Sequence, residues 1–67
     1  MSDRTSARLR LTEAIEAAEQ FVRHLENAID AVEEVKPRKA VGLRNKRTVV
    51  GAFICDLREL KESLEND

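Results

Sequence analysis

The chain has few of the residues with which small domains usually reinforce a fold. Its 67 residues include one cysteine, one histidine, one proline and two glycines, and no tryptophan or tyrosine. One cysteine excludes a disulfide within the chain, and one cysteine with one histidine cannot complete a structural zinc site. A chain this short buries only a marginal core, so oligomerisation or a bound partner is the remaining source of stability.

Long apolar runs are missing too. No stretch approaches the roughly 20 apolar residues that a membrane-spanning helix needs, and the opening residues Met-Ser-Asp-Arg-Thr-Ser lack the apolar centre of a signal peptide. A lone cysteine is typical of a reducing compartment. We therefore expect a cytoplasmic protein that makes no contact with a membrane.

No pattern of an active site is evident. Glu13, Glu16 and Glu19 form an E-x-x-E-x-x-E run similar to the patterns of helical nucleotide pyrophosphohydrolases. On a helix these side chains project from the polar face, whereas a Mg²⁺ site needs carboxylates that converge in a cavity. Cys55 and His24 have no partner at ligand spacing and fit packing or surface roles. We expect no catalytic residue, no metal site, no cofactor and no small-molecule substrate.

What the chain does contain is a long heptad pattern in its first half. The apolar residues between Leu11 and Val35 follow one another at steps of four and three, which is the seam of a helical hairpin or coiled coil. The residues of this seam are Leu11, Ile15, Ala18, Val22, Leu25, Ile29 and Val32. The pattern predicts a first helix over 6–35, after a frayed segment over 1–5.

A second helix follows Lys36-Pro37, because proline disfavours the helical conformation at the residue before it and fits the first turn of a new helix. This helix is predicted over 38–65. Its strongest part is 46–65, and its predicted seam residues are Val50, Phe53, Leu57, Leu60 and Leu64. Gly42 and Asn45 are weak helix formers, so 38–46 could be helix or loop.

Folding the chain at position 37 pairs the two seams in antiparallel order. Seam residues whose numbers sum to 75 then meet, from Leu11 with Leu64 to Val32 with Leu43. Flanking charges complement one another, and the expected pairs are Asp30 with Arg44, Glu26 with Arg47, Glu16 with Arg58, and Glu13 with Lys61. The fold class is therefore all-α, an antiparallel, coiled-coil-like hairpin that forms one domain.

A second apolar stripe remains outside this hairpin. It comprises Ala14, Phe21, Ala28 and Val35 of the first helix with Val49 and Ile54 of the second. An exposed stripe of this length usually marks an interface, and a second copy would cover it in a four-helix bundle. We therefore expect a homodimer that acts as a non-enzymatic protein-interaction or assembly module.

Two alternatives stay open. Residues 36–47 carry six positive charges and no acid, so a regulator could bind nucleic acid through Arg38, Lys39, Arg44, Lys46 and Arg47. The segment holds no aromatic side chain to stack on bases, and its charges could equally neutralise the acidic first helix. Alternatively, the chain is a small chaperone or antitoxin-like adaptor, whose apolar stripe covers a different protein.

Overall fold

The structure, a computed structural model, describes residues 3–66, with side chains as far as Glu65. It contains α1, Asp3–Val35, and α2, Pro37–Asn66, packed against each other. The predicted all-α hairpin is confirmed. Of the segment expected to fray, residues 1 and 2 lie outside the described residues and residues 3–5 are helical. α2 continues through 38–46 without a break.

A single residue, Lys36, connects the helices. Its backbone N–H donates to the carbonyl of Val32 at 2.6 Å, which completes the last turn of α1. Its carbonyl accepts from the amides of Lys39 and Ala40 at 3.0 and 3.3 Å, which begins α2. Pro37 occupies the first position of α2, where a missing N–H costs nothing. One residue thus caps both helices and reverses the chain.

Ion pairs between the helices fix their antiparallel register. The residue numbers sum to 73 for Glu26 with Arg47 and to 77 for Glu19 with Arg58. The register predicted from the seams therefore holds to within about half a helical turn. At the end opposite the turn, the Arg4 guanidinium donates to the carbonyl of Leu64 at 2.9 Å, so α1 satisfies one of the carbonyls left unpaired at the end of α2.

The core is a narrow line of apolar side chains between the helices. Its buried members are Ile15, Val22, Ile29, Ala40 and Ile54. Ile15, Val22 and Ile54 form one cluster, and the partly buried residues packed against it are Ala18, Val50 and Leu57. All seven predicted seam residues of α1 are buried or partly buried.

The predicted seam of α2 is partly wrong. Phe53 and Leu60 are 57% and 51% exposed, whereas Ile54, expected in the outer stripe, is 7% exposed in the core. In either case the seam of α2 contains Val50, Leu57 and Leu64. Its other positions can be 46, 53 and 60 or 47, 54 and 61, because both sets keep the heptad spacing.

The molecule uses the second set, and its charged members keep contact with water. Arg47 reaches Glu26 across the helices, and Lys61 lies 3.9 Å from Glu65 of its own helix. Their aliphatic stems can lie along apolar surface while the charged ends stay in water. The rotation brings Ile54 inward and turns Phe53 and Leu60 outward.

Ala40 is a core residue that the heptad reading did not identify. It is 1% exposed and lies on the first turns of α2, where the one-residue connection holds the helices close together. A methyl group fits this narrow space, and a larger side chain would force the helices apart.

The hairpin is a single layer of two helices. Its Cα atoms span 52 × 15 × 11 Å, and its accessible surface is 5181 Å². Folded monomers of 7.6 kDa expose about 4,300 Å² by the general scaling of surface with mass. The hairpin thus exposes several hundred Å² more than a globular chain of its size.

Candidate interaction surface

The two broad faces of the hairpin differ in chemistry. One face, called here the ion-paired face, carries the charged residues that bridge α1 and α2. The opposite face, called here the apolar face, is built from Ala14, Ala17, Phe21, Ala28, Ala31, Val35, Val49, Phe53 and Leu60. The same heptad register produces both faces, because the positions beside the core point to one side or the other.

Between the described parts of α1 and α2, four ion pairs lie on the ion-paired face. Arg44 contacts Glu33 and lies 3.8 Å from Asp30, while Arg47 Nε donates to Glu26 Oε2 at 3.0 Å. The expected pairs of Asp30 with Arg44 and of Glu26 with Arg47 are confirmed.

The other two expected pairs are wrong. Arg58 contacts Glu19 rather than Glu16, Lys61 lies near Glu65, and Glu13 pairs with Arg10 at 3.1 Å on its own helix. The rotation of α2 that buries Ile54 also moves Arg58 toward the Glu19 side of α1.

Gly51 makes room on this face for the Arg47 side chain. A Cβ atom at Gly51 would lie 2.8 Å from Arg47 Nη1. A glycine one turn after Arg47 therefore lets the guanidinium lie close to the helix while it reaches Glu26. Gly42, on the other side of α2, has nothing within 4 Å of its Cβ position.

On α1 the apolar face is a complete second heptad seam. Its positions step by three and four, and they are Ala14, Ala17, Phe21, His24, Ala28, Ala31 and Val35. All seven are exposed. The sequence prediction identified only every second member. Ala17 and Ala31 could have been found by testing whether the positions three residues after each member of the outer stripe are also small or apolar. Two such seams are what a helix needs to contact two neighbours.

On α2 the apolar face carries Val49, Phe53 and Leu60. The register places Phe53 level with Phe21, and Leu60 level with Ala14, so the two phenylalanines lie at mid-length of the rod. Among the described residues, seven large apolar side chains are mostly exposed; five belong to this face, and Leu9 and Val41 lie elsewhere. The exposed apolar surface is therefore concentrated on one side.

Most of the predicted interface residues lie on this surface. Ala14, Phe21, Ala28, Val35 and Val49 are exposed on the apolar face. Ile54 has to be removed from the set, because its side chain packs with Ile15 and Val22 inside the hairpin.

The structure divides the predicted basic segment between two faces. Arg44 and Arg47 are bound to carboxylates of α1. Lys39 and Lys46 lie on the same line of α2 as Phe53 and Leu60, at the end of the apolar face near the turn, and Arg38 lies on the outer side of α2. Within the described part of the chain, these last three form no ion pair. The five candidate nucleic-acid-binding residues therefore do not form one continuous patch.

The residues considered for metal or redox chemistry are not brought together. Among residues 3–66, no group of three or more histidine, cysteine, aspartate or glutamate side chains could hold a metal ion. Cys55 is an exposed free thiol, and the His24 Nε2 atom lies 3.4 Å from the Gln20 side-chain nitrogen. Neither helix contains, in its described residues, a stretch apolar enough to cross a membrane.

No family model, curated protein or solved structure matches this chain. We therefore base the functional proposal on the geometry of the chain itself, and above all on the contrast between its two faces.

Proposed function

We propose that the chain is a non-enzymatic assembly module whose apolar face binds the same face of a second copy. Two hairpins stacked in this way form an antiparallel four-helix bundle. The observation that carries the proposal is the position of Phe21 and Phe53, which are 52% and 57% exposed and level with each other on one face. In the bundle both side chains become core residues.

The size of the face supports the proposal. A projected face of 52 × 15 Å, from the extents of the Cα atoms, corresponds to roughly 780 Å². A stable interface of standard size buries about 800 Å² on each partner. The accessible surface of the hairpin exceeds that of a globular chain of its mass by several hundred Å², which is of the same order. One partner of equal size would therefore bury the excess.

The alanines support a helical partner in particular. Ala14, Ala17, Ala28 and Ala31 flank Phe21 on both sides along α1. Small residues let the backbones of neighbouring helices approach closely, and the large phenylalanine fills the space where layers alternate in size. A continuous stripe of this kind along the length of α1 fits another helix better than it fits a compact globular surface.

Binding of nucleic acid is the weaker alternative. Two of the five candidate residues, Arg44 and Arg47, already neutralise acidic side chains of α1, so releasing them for phosphate contacts would leave those carboxylates unpaired. Lys39 and Lys46 lie at the turn end of a surface whose other members are mostly apolar, so they do not form a cationic patch with the two arginines.

The test is the solution mass of the protein over a range of concentrations, measured by light scattering after gel filtration. The wild-type protein should be a dimer, and Phe21→Glu should be a monomer with lower helicity by circular dichroism, because burying two unpaired carboxylates at one interface is strongly unfavourable. The matched control is Val41→Glu, which places the same group at a residue 60% exposed on the ion-paired face and should remain dimeric.

A Phe21→Glu protein that stays dimeric would refute the use of this face. A wild-type protein that is monomeric and poorly folded would instead favour the adaptor hypothesis, in which a different protein covers the face. Gel-shift titration at two salt concentrations tests the nucleic-acid alternative, since phosphate contacts weaken steeply as salt rises.

A further inference from the structure

An ionisable ring lies in the middle of the apolar face. His24 is the one histidine of the chain, and it holds the central position of the second seam of α1, with Phe21 one turn before it and Ala28 one turn after it. Its side chain is exposed in the single hairpin. A second copy packed on this face would cover the imidazole together with Phe21.

The hydrogen bonds around this ring are compatible only with its neutral form. Arg23 Nη2 donates to the side-chain oxygen of Gln20, so the amide nitrogen of Gln20 points the other way and lies 3.4 Å from His24 Nε2. An amide NH2 group can only donate, and both nitrogens of a protonated imidazole are donors as well. Nε2 therefore accepts from Gln20 only while it carries no proton.

The charges near His24 give a protonated ring no counter-ion. Its neighbours one turn away on α1 are Gln20, Phe21, Asn27 and Ala28. On the face side of α2 the charged residues nearest in level are Lys46 and Asp56, each five residues from the position level with His24, or about 7.5 Å along the helix. Among the described residues His24 forms no ion pair. The positive and the negative charge at equal distance offset each other.

This holds for either way in which a second copy can stack on the face. If α1 packs on α1 of the other copy, His24 meets a seam whose seven positions, from Ala14 to Val35, include no carboxylate. If α1 packs on α2 of the other copy, His24 again lies midway between a lysine and an aspartate, at the level of Val49 and Phe53. Burying a charged group without a partner is strongly unfavourable, so both arrangements require the neutral imidazole.

We propose that His24 makes dimerisation dependent on pH, so that the dimer forms with both imidazoles neutral and dissociates on acidification. This inference rests on the proposed function and adds to it a regulation of the same face. The two free chains can each bind a proton at His24, whereas the dimer binds neither proton. A falling pH therefore favours the free chains, and a rising pH favours the dimer. Histidine is the side chain whose ordinary titration lies between about pH 5 and 8.

Sedimentation equilibrium of the full chain between about pH 7.5 and about pH 5.5 tests the proposal, because it gives the dissociation constant of the dimer at each pH. An imidazole that titrates at about pH 6.5 when free, and must be neutral when buried, weakens association about tenfold per copy at about pH 5.5. The two copies together should raise the dissociation constant about 100-fold, with an uptake of about two protons per dimer.

Two substitutions at the same position separate the charge from the shape of the ring. His24→Gln stays neutral throughout this pH range, so its dissociation constant should vary by less than about threefold. His24→Arg carries its charge at every pH and should dimerise weakly throughout. The matched control is Asn27→Arg, which adds the same charge three residues away on the outer side of α1 and should dimerise with the pH dependence of the wild type.

The possible failures are distinguishable. A wild-type dimer whose dissociation constant does not change with pH would overturn the role of His24 while the proposed function stands. A pH dependence that persists in His24→Gln would overturn it as well, because groups other than this ring would then be responsible. A wild-type protein that is monomeric at every pH would overturn both this inference and the proposed function. Loss of helix on dissociation does not obscure the comparison, because His24→Gln experiences the same pH.

Discussion

The two faces of this hairpin hold it together in different ways. On the ion-paired face, Arg44, Arg47 and Arg58 contact acidic side chains of α1, and all of these side chains remain partly in water. On the apolar face, the large side chains touch water over more than half of their surface. The first face is complete within one chain, whereas the second leaves large apolar side chains exposed.

The difference follows from the rotation of α2. Exposed ion pairs contribute little to stability, about 0–1 kcal/mol each, and three arginines of α2 form them on the side that faces the carboxylates of α1. The same rotation excludes Phe53 and Leu60 from the hairpin core and leaves them on the outer face. It therefore determines which apolar residues remain exposed.

The largest expected effect comes from truncating a core residue, and we compare it with truncation of the face residue next to it in the sequence. Ile54→Ala should lower the free energy of unfolding by about 2–4 kcal/mol, because it leaves a cavity beside Ile15 and Val22. Phe53→Ala should weaken dimerisation instead, so its unfolding midpoint should depend less on protein concentration than that of the wild-type dimer, because unfolding of a dissociated protein is not coupled to dissociation. Chemical denaturation at several protein concentrations separates the two effects, and equal behaviour of both variants would contradict the assigned rotation of α2.

The sequence alone could not predict this rotation of α2. In α1 the inner seam could be told from the outer stripe, because its members, such as Leu11, Ile15 and Val22, are mostly larger than the alanines that make up most of the outer stripe. In α2, Phe53 and Ile54 are adjacent and similar in hydrophobicity, so periodicity alone could not choose between them. The choice depends on how the two helices pack together, which is not a property of either helix alone.

The candidate surface was predictable to a similar degree. Phe21 and Val35 were found because they repeat at heptad spacing beside a well-defined seam. Phe53 was missed as a face residue because it was assigned to the core. Ala40 was missed because the sequence around it does not show that the connection is only one residue long. The length of the connection becomes apparent only from the hydrogen bonds by which Lys36 caps both helices.

An effect of intermediate size is expected on the ion-paired face. Arg47 is one-third exposed, and its stem lies in a shallow depression that Ile29 and Glu26 also line. Arg47→Ala should cost about 1–2 kcal/mol in unfolding free energy through lost packing and the lost ion pair. Arg47→Met keeps the apolar stem and should cost less than about 1 kcal/mol. Thermal unfolding of both variants at low and high salt measures the two contributions, and equal losses for methionine and alanine would show that the charge dominates.

The smallest expected effects come from the two glycines, one on each side of α2. Glycine within a helix costs about 1 kcal/mol relative to alanine, and Gly42 has open space around its Cβ position. Gly42→Ala should therefore raise the unfolding free energy of the chain by up to about 1 kcal/mol. Gly51→Ala should raise it less, because the new methyl group displaces the end of the Arg47 side chain from its place near Glu26. Combining Gly51→Ala with Arg47→Met removes that conflict, so the full gain at Gly51 should then appear in thermal unfolding. If Gly51→Ala stabilises the wild-type background and the Arg47→Met background equally, the close approach of Arg47 to the backbone has no energetic consequence, and the glycine is simply tolerated there.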